Sequence, residues 1–553
     1  MPFDKESGLS DKTSIGLLLV ICILCLAPFA GKAFNMDDPL FVYAAKHIQT
    51  NPFDFYGFTV NWYGFEMPMS EVTKNPPLAS YYIAFVAFLF GWSEIALHLA
   101  FLIPASAAVI GTFFLAKELC DRPFFAALAG LATPVFLLSS TTVMCDTLML
   151  SLWVWAVYFW RRGVKRDSPA SLALASFLIA ACCLTKYFGM SLIPLLFVYS
   201  LVEKRRAGGW MLFLLVPVLI LAAYQWATQA LYGRGLLLDA ASYSTSVHGP
   251  YGGNFLTKVL VGVAFTGGCF ITAFLYAPLS WRKRTVAATA LFFFVLMLIV
   301  QRDKTAFNFP VSGSEDINWL FLVQFSLFLC SGAFFLYLVA LDLKTGRDAD
   351  SLLLFLWTAG TFIFAGYVNW SVNGRSILPM VPAAGILLAR HLGRMKMTGG
   401  DKNIGRFLLP LAPALIISLA VTWADYRLAT TARSAALEIH DAFKSAPGTL
   451  WFQGHWGFQY YMEKTGSKAM DFRRSKIKIG DIVVMPLNNT NTKPLPPDLV
   501  SFIHEFQFEA AGFLTVMNEK AGAGYYATDF RGPLPFAIGS DTVEKYGAFL
   551  VLR

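Results

Sequence analysis

Charge is scarce in this chain. Only 14% of its 553 residues are Asp, Glu, Lys or Arg, against 56% apolar and 16% aromatic. That scarcity excludes an ordinary soluble globular protein. The eight cysteines (Cys22, Cys25, Cys120, Cys145, Cys182, Cys183, Cys269 and Cys330) lie in or beside apolar blocks, and only Cys182-Cys183 are adjacent. No spacing among them matches a metal site, which leaves them as small core residues without a disulfide framework or redox chemistry. The last 129 residues, 425–553, contain no cysteine, phosphate loop or dinucleotide motif, and no internal repeat runs through the chain.

What the chain does have is apolar blocks of about 16–24 residues, long enough to cross a hydrocarbon core. They make it a polytopic α-helical membrane protein. The net charge of +9 comes in short basic clusters between those blocks, such as Arg161-Arg162-Gly163-Val164-Lys165-Arg166, Lys204-Arg205-Arg206 and Arg282-Lys283-Arg284. This is the positive-inside pattern, so the charge reports orientation and not a nucleic-acid partner.

Thirteen spans are predicted, over 14–34, 95–116, 123–141, 147–160, 169–185, 187–202, 209–228, 255–279, 285–300, 319–341, 351–368, 376–390 and 406–423. The first is read as an uncleaved span, although Ala30 and Ala33 lie near a potential signal-peptide cut. The block Leu78–Gly91, about 14 residues, is short for a crossing and is read as a re-entrant or interfacial helix. Parity agrees: with that block left out, the basic clusters share the side of the N-terminus, about 21 Lys and Arg against about 9 opposite.

The predicted organisation is a membrane domain over 1–424, with a long first external loop at 35–94, and a soluble external α/β domain over 425–553. In the latter, Thr449–Phe452, Asp481–Met485 and Tyr546–Leu552 read as strands and Asp498–Phe508 as a helix. Other external connections are Thr141–Asp146, Ala230–Asn254, Gln301–Asn318 and Val368–Arg375.

Ionisable residues recur at the external ends of the spans: Asp37 and Asp38 after the first, Lys74 before the short helix, Asp146 before the fourth. Lys186 sits at a break between two spans, Arg234 follows the seventh and Arg375 opens the twelfth. Lys and Arg can hold a lipid phosphate while a carboxylate takes a proton from an incoming nucleophile, and a metal could share the phosphate charge. Each residue also has a plainer reading. Lys and Arg at span ends snorkel to headgroups, an Asp at a helix start caps it, and aromatics near span ends form the interface belt.

Four motifs carry a resemblance. They are Asp37-Asp38, Lys74-Asn-Pro-Pro-Leu-Ala-Ser-Tyr-Tyr82, Met144-Cys-Asp146-Thr-Leu and Gly374-Arg375-Ser-Ile-Leu-Pro379-Met-Val-Pro382. In order and sidedness the chain resembles the polyprenyl-phosphate-sugar-dependent glycosyltransferases of the GT-C superfamily. The likeness, over roughly 14–423, is to the protein O-mannosyltransferase-like group of family 39 type that includes the aminoarabinose transferase of lipid A. The resemblance implies an inverting transfer of a hexosyl or pentosyl group from a polyprenyl-phosphate donor, such as an undecaprenyl phosphate sugar, to a lipid, glycan or protein acceptor. The transfer would occur on the extracytoplasmic face of the inner (plasma) membrane, with the N-terminus cytoplasmic.

Carried over, Asp37 is the base, and Asp38, Lys74, Asp146, Lys186 and Arg375 bind substrate, the cations holding the lipid phosphate. Asp38 departs from the family's Glu, and Asn75 separates Lys74 from Pro76. No cofactor is assigned; some relatives use a divalent cation, for which Glu71 and His98 are the candidate ligands. A transporter or flippase of a lipid or sugar is the alternative. Transporters show repeated halves with ionisable groups near the midplane, whereas these charges gather at one face. An assembly protein acting through its external domain would leave the charges of the first loop unexplained.

Overall fold

A computed structural model describes residues 10–246, 255–302, 318–395, 407–539 and 543–553. Parts of the expected connections 230–254 and 301–318 therefore lie outside the described residues. Each of the thirteen predicted intervals carries a helix or a bent pair of helices. Among the described residues, eight helices are long and apolar enough to cross a membrane, or ten if each of two bent pairs is one span. The remaining three intervals hold Cys145–Lys165, Pro169–Thr185 and Lys283–Arg302.

The breaks follow local chemistry. Pro123–Leu131 and Pro134–Ser140 meet at 65°. Pro134 cannot continue the preceding helix but suits the first turn of the next, and the Thr133 hydroxyl caps the new helix by accepting the Phe136 amide. The short apolar helix in the first loop is Leu78–Phe90, opened after Pro77 and closed by Gly91 at φ +82°, where a Cβ would be strained. Ser93 then caps the Glu94–Leu119 span by accepting the Ala96 amide.

The first loop also forms a small hairpin of β1 (Thr59–Asn61) and β2 (Glu66–Pro68). Downstream, five strands make one sheet: β3 (Leu450–Phe452), β4 (Lys468–Ala469), β5 (Ile482–Pro486), β6 (Val500–Glu509) and β7 (Val543–Val551), in spatial order β4-β3-β5-β7-β6. β3 runs parallel to β4 and β5, and β7 is antiparallel to β5 and β6. Together with the helix Trp456–Lys464 this is an α/β arrangement, as expected.

Two expectations are corrected. Asp498–Phe508 is not helical: Val500–Glu509 is the longest strand of the sheet. Phe502, His504, Phe506 and Phe508 alternate with Ile503, Glu505 and Gln507, a period of two that suits an edge strand better than a helical stripe. The helix that carries most of the thirteenth predicted span runs unbroken from Leu411 to Phe443, so the boundary expected between residues 424 and 425 falls inside it. Polar residues from Asp425 onward suggested a soluble start. They remain in a helix buried along one face, through Ala424, Asp425, Leu428, Ala429, Ala432, Ala435, Ala436 and Ile439.

Candidate active site

The first loop departs from the membrane through a left-handed residue, Met36 at φ +49°, a costly conformation away from glycine. It turns the chain so that Asp37 occupies the N-cap of the helix Asp38–Thr50. Asp37 makes no side-chain capping bond. Its carboxylate instead pairs with the Arg375 guanidinium at 2.8 Å.

Asp38 goes the other way. It is wholly buried and accepts the Asn35 amide at 3.0 Å and the Val143 amide at 2.8 Å. It therefore ties the start of the first loop to the turn before Asp146. Burial pushes its carboxyl up to about 7, against the opposing pull of Lys32 and the two amides. Asp38, expected to bind substrate, does not line the cavity described below; it fixes the backbone that presents Asp37.

Behind this pair lies a buried ion pair. The Lys32 ammonium contacts the Asp425 carboxylate, with the two side chains 1% and 0% exposed. Asp425 also accepts the Tyr526 hydroxyl at 2.9 Å, and the Arg375 guanidinium lies over the Tyr526 ring at 5.5 Å from its centre. Arg375 itself sits on a short turn whose cap, Asn373, accepts the Ser376 amide. The preceding Gly374 donates its amide to the Tyr525 carbonyl at 2.8 Å. The segment around Tyr525 and Tyr526 thus reaches from the terminal part of the chain to the back of the site.

Asp37, Lys74, Asp146, Lys186 and Arg375 all line one cavity of about 690 Å³. Each of its three cations is paired with a carboxylate: Arg375 with Asp37, Lys186 with Asp146 at 2.6 Å, and Lys74 at 2.6 Å with Asp239, which is not itself part of the lining. Asp146 is 1% exposed, and its second oxygen, like Arg375 Nε, is buried without a hydrogen-bond partner. Buried polar atoms without partners are costly. Here both belong to groups facing the cavity.

The rest of the lining is largely apolar: Trp62, Tyr63 and Tyr243 contribute rings, and two helices contribute Pro194, Leu195 and Val198 on one and Leu356, Gly360 and Phe364 on the other. The residues of these two helices recur at helical spacing on Leu192–Lys204 and on the Ala349–Ile363 helix with its continuation. They make an apolar slot between two helices.

Neither candidate cation ligand lines the cavity. Glu71 pairs with Arg234 at 3.3 Å, and His98 is buried with Nδ1 2.7 Å from the Glu94 carbonyl oxygen. Among the described residues no group of three His, Cys, Asp or Glu side chains is placed to hold a metal ion.

Comparison with known proteins agrees with this arrangement at the level of fold. The structure of ArnT from Cupriavidus metallidurans bound to undecaprenyl phosphate superposes with a TM-score of 0.54 at 13% identity, covering 86% of this chain and 92% of that one. The chain has the GT-C fold. Residues 74–227 match the family model of the dolichyl-phosphate-mannose-protein mannosyltransferases. The oligosaccharyltransferase of Archaeoglobus fulgidus in its apo form gives a TM-score of 0.48 at 15% identity, over 84% of this chain and 65% of that one. The Saccharomyces cerevisiae Pmt1–Pmt2 complex bound to the sugar donor gives 0.31 at 16% identity, over 41% and 35%. No curated protein matches the chain by sequence. The family-model match and the shared fold together support glycosyl transfer at a membrane.

Asp239, Lys32, Asp425 and Tyr526 were not among the residues singled out from the sequence. Lys32 and Asp425 carried a usable signal, since each is an isolated charge beside or within an apolar run. Asp239 and Tyr526 carried none.

Proposed function

We propose that the chain transfers a sugar from a polyprenyl-phosphate donor to an acceptor hydroxyl or phosphate, with inversion at the anomeric carbon. The observation that carries the reading is the cavity itself, whose lining combines three paired cations with an apolar slot between helices. Such a site fits an amphiphile with a phosphate head and an isoprenoid tail. Inversion follows from a single displacement: the acceptor oxygen attacks the anomeric carbon while the bond from that carbon to the phosphate oxygen breaks. Asp37 takes the acceptor's proton, and the phosphate leaves with the bonding electrons.

Lys74, Lys186 and Arg375 are the groups available to hold that phosphate. Asp146 keeps Lys186 in place, and Asp38 orients Asp37 from behind without touching substrate. The distribution of basic clusters supports a cytoplasmic N-terminus, with the sheet domain and the paired cations of the cavity on the extracytoplasmic side of the inner membrane.

The test uses purified protein in lipid nanodiscs with a radiolabelled polyprenyl-phosphate sugar. Asp37→Asn is expected to lower transfer by about 10²–10⁴-fold, the usual contribution of a positioned base, while still binding polyprenyl monophosphate. Full transfer in this variant would remove Asp37 from the role.

A further inference from the structure

Lys74 is held on two sides by one short helix. Leu236–Ser246 presents Asp239, whose Oδ2 lies 2.6 Å from Lys74 Nζ, and Tyr243, whose ring centre lies 5.4 Å from the same atom. These residues are four apart and so share a helix face. The Asp239 carboxylate is also 3.4 Å from Arg234 Nη1, and Arg234 in turn reaches Glu71.

The helix is anchored at its start. The Leu237 and Leu238 amides donate to Gln225 Oε1 and the Leu236 amide to Thr228 Oγ1. Leu237, Ala240, Ala241, Tyr243 and Ser244 from this helix line the cavity, but Asp239 does not. Its carboxylate therefore draws the Lys74 ammonium toward the wall, away from the space an incoming phosphate would fill.

We infer that Asp239 is a resident competitor of the donor phosphate, a positioning residue that sets donor affinity by neutralising Lys74 until the phosphate takes its place. The inference rests on the proposed role of Lys74 in holding the phosphate. Chemically it is an exchange of anions on one ammonium. Asp239 is 28% and Lys74 23% exposed, so water reaches the pair and the released carboxylate is solvated, with Arg234 still beside it. A carboxylate held between two cations resembles the anion it yields to, which makes the exchange nearly balanced in charge.

The experiment measures binding of a polyprenyl monophosphate in nanodiscs by quenching of intrinsic tryptophan fluorescence; Trp62, Trp153 and Trp370 line the cavity. Wild type is compared with Asp239→Asn, Asp239→Ala, Lys74→Ala and the Asp239→Asn/Lys74→Ala double variant, each first checked for monodisperse elution. Asp239→Asn is expected to bind about threefold or more tightly than wild type, as loss of a partly exposed pair allows. In the double variant that gain disappears, leaving the weak binding of Lys74→Ala. If both Asp239 variants bind as wild type does or more weakly while Lys74→Ala still loses affinity, Asp239 only shapes the helix and the inference is overturned, with the phosphate role of Lys74 intact. If Lys74→Ala binds as tightly as wild type, that role fails and the inference with it. An equal gain from Asp239→Asn in the presence and absence of Lys74 also overturns it, because the effect would not run through the ammonium.

Discussion

Lys32→Met isolates a carboxylate where water does not reach it. Asp425 has 0% exposure, and its partners are the Lys32 ammonium and the Tyr526 hydroxyl; its Oδ1 has no hydrogen bond. Methionine fills much of the lysine stem but removes the charge, so a lone buried anion remains. Breaking a buried pair in this way costs about 3–5 kcal/mol, whereas replacing both partners by apolar residues of similar volume is often close to neutral. At about 2 °C per kcal/mol for a large domain, the single variant is expected to lose roughly 6 to 10 °C of apparent melting temperature. The double variant Lys32→Met/Asp425→Leu should recover more than half of that loss. The assay heats detergent-solubilised protein and follows the surviving monodisperse fraction by size exclusion. Transfer activity is expected to fall in the single variant as well, because Lys32 is the main cation acting on Asp38, which fixes the backbone presenting Asp37. A single variant as stable as wild type would refute the reasoning. So would a double variant whose losses simply add, since coupling is what a shared ion pair requires.

Two other expectations concern the terminal part of the chain. In Gly374→Ala the new Cβ would overlap the Tyr525 ring, displacing either the ring or the turn that carries Arg375; a fall of at least tenfold in kcat/KM is expected, about 1.4 kcal/mol, with little change in membrane insertion. The second is a pH effect: His455 is buried, which pushes its imidazole down to about 4 from an ordinary value near 6.5, with Asp37 and the Thr490 carbonyl opposing. Because the folded value is the lower one, its contribution to stability is full above about 6.5 and lost as pH falls toward about 4, about 3 kcal/mol over that window. The acid side of a thermal-stability profile should flatten in His455→Gln, and an unchanged profile would show that the imidazole does not govern it.

How much of this was legible in the sequence depended on the range of the interaction. Span positions follow from runs of apolar residues, a local property, and every predicted interval carries helix. The cavity residues Asp37, Lys74, Asp146, Lys186 and Arg375 were also visible, because a charge at the end of an apolar run is conspicuous. Their pairing was not. Arg375 lies 338 positions from Asp37, and nothing in either segment specifies the other. Asp38 illustrates the same limit: adjacent to Asp37 in sequence, it faces away because a helix start turns successive side chains about 100° apart. The edge strand Val500–Glu509 was misread despite its alternation, because the pairing with Val543–Val551 that stabilises it is formed by a segment more than thirty residues on.

The pairing of Arg375 with Asp37 bears on how the site could carry charge through the proposed reaction. At the start the cavity's three cations face three carboxylates, Asp37, Asp146 and Asp239. A polyprenyl-phosphate sugar is a diester with one negative charge, and the departing monoester gains a second. In the same displacement Asp37 accepts a proton and loses its charge. Negative charge thus passes from the carboxylate to the leaving phosphate, and one guanidinium adjoins the first position while facing the cavity that would hold the second. Arg375 Nε, buried and without a partner, is a donor available to the phosphate as the contact to Asp37 weakens. The net charge of the cavity is then the same before and after transfer. Around the buried atoms of Asp146 and Arg375, where an uncompensated charge is expensive, this is a stronger reason for an arginine beside the base than phosphate binding alone.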